Sequence, residues 1–139
     1  MLRAPRPDGS ALVLLQHRAP WSHQGGTWSL PGGARDSHET VEEAAVREAN
    51  EEAGLTADQL IVRASVVTAT ATGAVWTYTT VIADAPEPLR TVPNRESSEL
   101  RWVAEDEVVA LPLHPGFADS WDELRTVSAA YPLNVTRRP

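Results

Sequence analysis

Three glutamates, Glu48, Glu51 and Glu52, stand at i, i+3 and i+4 in a stretch that reads as a helix. Residues at those offsets share one helical face. Like charges so placed repel, each exposed neighbouring pair costing roughly 0.2–0.5 kcal/mol. The cost rises where an apolar stripe desolvates them. A divalent cation removes the conflict, because carboxylate oxygens are hard ligands suited to magnesium or manganese. The competing reading is a solvated acidic patch with Arg47 in a surface salt bridge.

The helix that must position these acids has clear ends. Thr40 followed by Glu43 is a capping box, so the helix is predicted to begin near Thr40. Ala44, Ala45, Ala49 and Ala53 favour it, and Gly54 suits the left-handed conformation just past its end. On a helical projection the acidic face also carries Val41, Ala44 and Ala45, with Ala49 and Ala53 beside it. Glu43, Arg47 and Asn50 project more toward the other side. Ahead of the helix, Pro31 leads into the glycine pair Gly32-Gly33.

The full pattern is Gly33, five residues, Glu39, seven residues, Arg47-Glu48, Ala49, one residue, Glu51-Glu52, one residue, Gly54 and Leu55. It resembles the Nudix box of the Nudix hydrolase family. Ala49 is the one soft departure, since the family more often has a larger aliphatic residue there. The resemblance reaches from about Leu12 to Trp102.

That resemblance implies the Nudix α/β/α sandwich, an α/β (α+β) fold with a mixed sheet between helices. It implies hydrolysis of a nucleoside diphosphate linked to another group, with water attacking one phosphorus. Glu48, Glu51 and Glu52 are then the expected ligands of Mg2+ (or Mn2+), assisted by the carbonyl of Gly32 or Gly33. Arg47 is expected to orient a box glutamate, and Glu39 to have a structural or outer-shell role. MutT-type members place a metal-contacting glutamate in the loop where Pro93-Asn94-Arg95-Glu96 stands here. Glu96 is therefore the favoured general base, with Glu99 or a box glutamate as rivals.

Residues downstream of the box point toward a MutT-like, 8-oxo-dGTP-type enzyme yielding nucleoside monophosphate and pyrophosphate. A proline that marks many ADP-ribose hydrolases is missing near Thr70. A tyrosine seen in many diadenosine polyphosphate hydrolases is missing too. The alternatives are a nucleotide-sugar, ADP-ribose or dinucleoside polyphosphate pyrophosphatase, or a non-catalytic nucleotide-binding module. Candidate substrate contacts are Trp21, His23, Trp28, Tyr78, His114 and Phe117. His17 and Trp76 are further possibilities, each with core packing or a structural role as its default, and His38 is expected to be exposed. No asparagine stands in Leu111–Phe117, where such enzymes contact the base.

With 139 residues the chain is read as one domain, residues 1–139, large enough for a core. A net charge of -7 argues against nucleic acid as a bulk polyanionic partner. A small polyphosphate is compatible, because a bound cation screens the acids locally. The absence of cysteine excludes disulfides, thiol catalysis and thiolate zinc sites. Neither a signal peptide nor a membrane span is evident. The reading is a cytoplasmic monomer or homodimer acting on a small nucleotide.

Strands are expected at Ala11–His17, Trp28–Leu30, Leu60–Ala71, Val75–Ile82 and Ser97–Ala104. Met1–Arg6 reads as the short first arm of a hairpin: the chain starts late, or the sheet edge there is frayed. Helices are expected from Glu105 and from Phe117 to Ala130, and the Ala71–Ala74 segment as a turn.

Overall fold

The computed structural model describes residues 1–32, 38–70 and 77–133. The apolar run Leu12–Leu15 cannot alternate between core and solvent, so both of its faces must be covered. It lies in β2 (Ala11–Arg18), the hub of a six-stranded mixed sheet. Along one side β2 pairs antiparallel with β6 (Ser97–Ala104). Along the other it pairs end to end with β1 (Leu2–Pro5) and β3 (Trp28–Ser29). β1 continues the sheet through a parallel pairing with β5 (Thr77–Asp84), and β4 (Ile61–Thr70) forms the far edge.

One correction concerns the first strand. It is short, but it is not a frayed edge: β1 sits between β2 and β5 with all four residues buried. A second concerns Glu105–Ala110, which forms a 3-10 helix. The other elements follow expectation, with β5 running two residues further and the last helix starting two residues earlier. The expected turn at Ala71–Ala74, with Trp76 and the chain end beyond residue 133, lies outside the described residues.

A helix layer covers each face of the sheet. α1 (Val41–Ala53) packs its small residues Ala49 and Ala53, with Leu55 just beyond, on Leu2, Leu14 and Ala83. α2 (Pro115–Ala129) packs Phe117, Trp121 and Leu124 on Val13, Leu15, Val66, Ile82 and Val103 of the opposite face. This is the α/β/α sandwich that the resemblance implied. Both ends of α1 are specified locally. Thr40 and Glu43 bond reciprocally at 3.1 Å. Gly54 has φ 73°, and a Cβ there would meet Val92 at 3.3 Å, so left-handed backbone and close packing both select glycine.

The layers are tied together by charge. Buried Arg3 on β1 grips buried Asp84 on β5 with two bonds of 2.7 and 2.9 Å. Two further donors go to the carbonyls of Ser128 and Tyr131, at and after the end of α2. Arg63 on β4 adds a 3.0 Å bond to Asp84. One carboxylate thus joins three strands to a helix end. Removing it leaves Arg3 buried and uncompensated, so Asp84→Ala is expected to cost about 3–5 kcal/mol. Arg63→Ala breaks a more exposed pair and is expected to cost about 0.2–1 kcal/mol. Chemical denaturation of both variants measures the contrast, and equal losses would contradict it.

Candidate active site at the glycine turn

Because alanines face the sheet, α1 lies close to it, and the side chain between them is drawn into the contact. That side chain is Glu52, only 4% exposed. Its Oε2 accepts a 2.7 Å hydrogen bond from the backbone N–H of Gly32, just after β3. The helix and the glycine turn are therefore joined through this carboxylate. Burial pushes the Glu52 carboxyl up to about 7, and the carboxylates of Glu48 and Glu96 push the same way. The Gly32 amide and the Arg18 guanidinium oppose them.

The other box acids are arranged differently from the helical projection. Glu51 faces outward, with 55% of its side chain exposed, and Glu48 is mostly buried. Arg47 does not project away from the acids: it joins them. Its guanidinium takes both oxygens of Glu39 at 2.8 and 2.9 Å, Glu48 at 2.9 Å and Glu51 at 3.2 Å. Glu39 first and then Glu48 hold Arg47 still more firmly protonated. A long side chain bends freely, whereas a projection records only where its Cα points.

A cavity of about 870 Å3 opens beside this cluster. Its wall includes Glu48, Gly32, Arg18, Ser29, Tyr78 and His114. Burial, then Glu52 and Glu48, hold the Tyr78 hydroxyl above its usual value. His114 caps α2, its Nδ1 accepting the Gly116 N–H at 3.0 Å, so a neutral ring carries its proton on Nε2. Burial, then Arg18 and His23, hold that ring below the usual histidine range. The Ser29 hydroxyl is buried and has no partner among the described residues.

The predicted contacts separate. Tyr78, His114 and Phe117 line the cavity, although Phe117 is buried and stacks edge-on with Trp121 at 5.5 Å. His23 is outside the wall, with its ring 6.3 Å from that of His114. Trp21 is 76% exposed on the loop after β2 and does not line the cavity. Trp28 is a core residue, buried between His17 at 4.7 Å and Arg101 at 4.8 Å. Gly33 lies outside the described residues. Glu96 is exposed, with its charge felt at Glu52. Glu99 pairs with Arg101 at 2.8 Å. Its neighbours Leu100 and Trp102 pack on the α1 side, so alternation sends Glu99 to the opposite face.

Sequence reasoning missed Arg18 and Ser29. Their signal was the antiparallel register that sets Gln16 opposite Ser29, because partners in a ladder share a face. Ser29, Gln16 and Arg18 thereby fall on the α1 side. The loop between them is tight. A Cβ on Gly25 would approach the Pro20 carbonyl to 2.5 Å, and Arg18 donates to the His23 carbonyl at 2.8 Å.

The donor set is all oxygen and suits a hard divalent cation. Among the described residues, no three acids or histidines converge into a closed metal cage. Glu48 and Glu51 are held by Arg47 instead, and Glu52 by the glycine amide.

A profile of the NUDIX domain matches residues 4–124. A Mycobacterium tuberculosis protein named "Putative 8-oxo-dGTP diphosphatase 3" is 71% identical over 136 residues, 96% of this chain. The chain spans 63% of that relative's length. A Bifidobacterium longum nucleoside triphosphate pyrophosphatase/Nudix hydrolase fusion protein is 40% identical over 82% of this chain and 25% of its own. The crystal structure of RenU, a Nudix hydrolase from M. smegmatis, superposes with a TM-score of 0.93 at 70% identity, covering 98% of this chain and 86% of that one.

Raising a buried carboxyl has a thermodynamic signature. Folded Glu52 keeps its proton up to about pH 7, whereas the ordinary value is 4.5. Its contribution to stability is full below pH 4.5 and is lost as pH rises through about 7. Chelator-treated protein is expected to lose resistance to denaturant across that window, and Glu52→Gln to flatten the slope. Denaturation midpoints read at several pH values check this, and parallel slopes for the two proteins would refute it.

Proposed function

The chain belongs to the Nudix family, and on that premise we propose that it hydrolyses a nucleoside triphosphate of the oxidised purine type. The products are a nucleoside monophosphate and pyrophosphate. The observation that carries this reading is Glu52. It is buried, bonded to the Gly32 amide of a turn that lines a nucleotide-sized cavity together with Glu48, and surrounded by like charge from Glu48 and Glu96. The substrate class is supported by the name of the 71% identical relative. We also assign the protein to the cytoplasm as a monomer or homodimer; no helix of the described residues is long and apolar enough to cross a membrane.

Glu48, Glu51 and Glu52 would hold Mg2+ (Mn2+ also fits), together with Glu96 and the carbonyl of Gly32 or Gly33. When bound, such a cation neutralises the diphosphate oxygens and favours attack by water. The chain's own residues do the rest. Arg47 holds Glu48 and Glu51 in place from one side, anchored by Glu39. Arg18 supplies positive charge felt at Glu52, Tyr78 and His114, suited to the triphosphate. Glu96 takes the proton of the attacking water. Ser29 and the His114 Nε2–H offer hydrogen bonds to the bound nucleotide.

A turnover screen with identified products tests the reading. The panel holds 8-oxo-dGTP, normal nucleoside triphosphates, ADP-ribose, a nucleotide sugar and a dinucleoside polyphosphate. The expected result is fastest release of pyrophosphate from 8-oxo-dGTP, abolished by a chelator and restored by magnesium. Preference for ADP-ribose, a nucleotide sugar or a dinucleotide would overturn the substrate assignment. Outer contacts of a metal ligand are worth 10–100-fold, so Glu52→Gln is expected to cost at least about 100-fold in kcat. It should leave the fold intact by circular dichroism.

A further inference from the structure

Glu96 stands on an exposed connection between β5 and β6, and a loop carboxylate has no intrinsic reason to stay opposite a helix. Four contacts hold this one. The Asn94 side-chain carbonyl accepts the Glu96 backbone N–H at 2.9 Å. The Asn94 amide reaches the other way and donates to the backbone carbonyl of Glu51 at 3.4 Å. Two residues earlier, the Val92 N–H donates to the Ala53 carbonyl at 2.9 Å. The Glu96 carbonyl itself accepts the Ala19 N–H at 3.1 Å, next to Arg18.

The last carbonyls of a helix have no partner within it. Here two of them, on Glu51 and Ala53, are taken by the loop that carries Glu96. Gly54 permits this approach, because a Cβ there would press on Val92. The end of α1 and the loop are thus one unit, with Asn94 as the side chain that spans it.

We propose that Asn94 is a positioning residue that fixes Glu96 relative to the acids of α1. The proposal rests on the pyrophosphohydrolase reading of Glu96 given above. Asn94 touches no reacting atom; it sets the distance between the loop acid and the helix acids through one side chain bonded to both backbones. Asparagine suits the task, since its amide donates and accepts at once. Asp keeps the acceptor for the Glu96 N–H and loses the donor to α1.

The test is a double-mutant cycle on the full chain with magnesium and the nucleotide turned over fastest in the screen. By analogy with outer contacts at metal sites, Asn94→Ala is expected to lower kcat about 10- to 100-fold. KM should move by less than about twofold, as for an interaction made in the transition state. Asn94→Asp should recover part of the loss. In a Glu96→Gln background, Asn94→Ala should cause no further loss in kcat. Equal losses in the two backgrounds would overturn the positioning role while leaving Glu96 in the reaction. A Glu96→Gln variant with unchanged kcat would overturn both, whereas wild-type protein inert toward every nucleotide would overturn the function itself. If Asn94→Ala fails to fold, Asn94→Ser, whose hydroxyl still accepts from Glu96, gives the same comparison.

Discussion

Everything at this site depends on a carboxylate placed where carboxylates are costly. Glu52 is drawn under α1 because the helix meets the sheet through alanines, which leave no room for solvent between them. Desolvation of a charge is tolerated only with compensation. A single amide N–H from Gly32 supplies part of it. The carboxylates of Glu48 and Glu96 take it away again. The proposed cation and polyphosphate would relieve this strain at the same spot.

The surrounding groups keep that tension local. Arg47 bonds to three acids with one planar guanidinium, a geometry that lysine cannot copy. It leaves Glu52 out of its reach, so the carboxyl raised toward neutrality is the one beside the glycine turn. Arg18 approaches from the sheet, and the tight loop following it bonds the guanidinium in place. The Arg3–Asp84 pair does for the scaffold what Arg47 does for the site. It links three strands and the end of α2.

The sheet also divides the chain chemically. On the α1 side lie Leu14, Gln16, Ser29 and Leu100, next to the acids. On the α2 side lie Leu15, Trp28, Val103 and Trp121. Two residues that look equivalent in a list of glutamates, Glu96 and Glu99, are separated by this division. Glu99 closes on Arg101 in its own strand, and Glu96 stays in the loop with the site. The same rule turns Trp28 from a candidate base-stacking ring into core.

Short-range chemistry was legible in the residues themselves. The capping box, the glycine stop, the acidic spacing and the apolar runs of the strands depend on neighbours a few positions apart, so they survive without knowledge of the fold. The family followed from the same spacing. What the linear order could not decide was orientation. The rotation of α1 that buries Glu52 and the entry of Ser29 into the site arise from partners more than ten positions away, and the reach of Arg47 back over the acids is a bend of its long side chain that a projection of Cα directions does not show. The place of β1 was hidden for the same reason: a four-residue strand shows no sign of being central until β2 and β5 bond to its two sides. Local propensity sets which elements exist, and long-range packing sets which face of each one meets the chemistry.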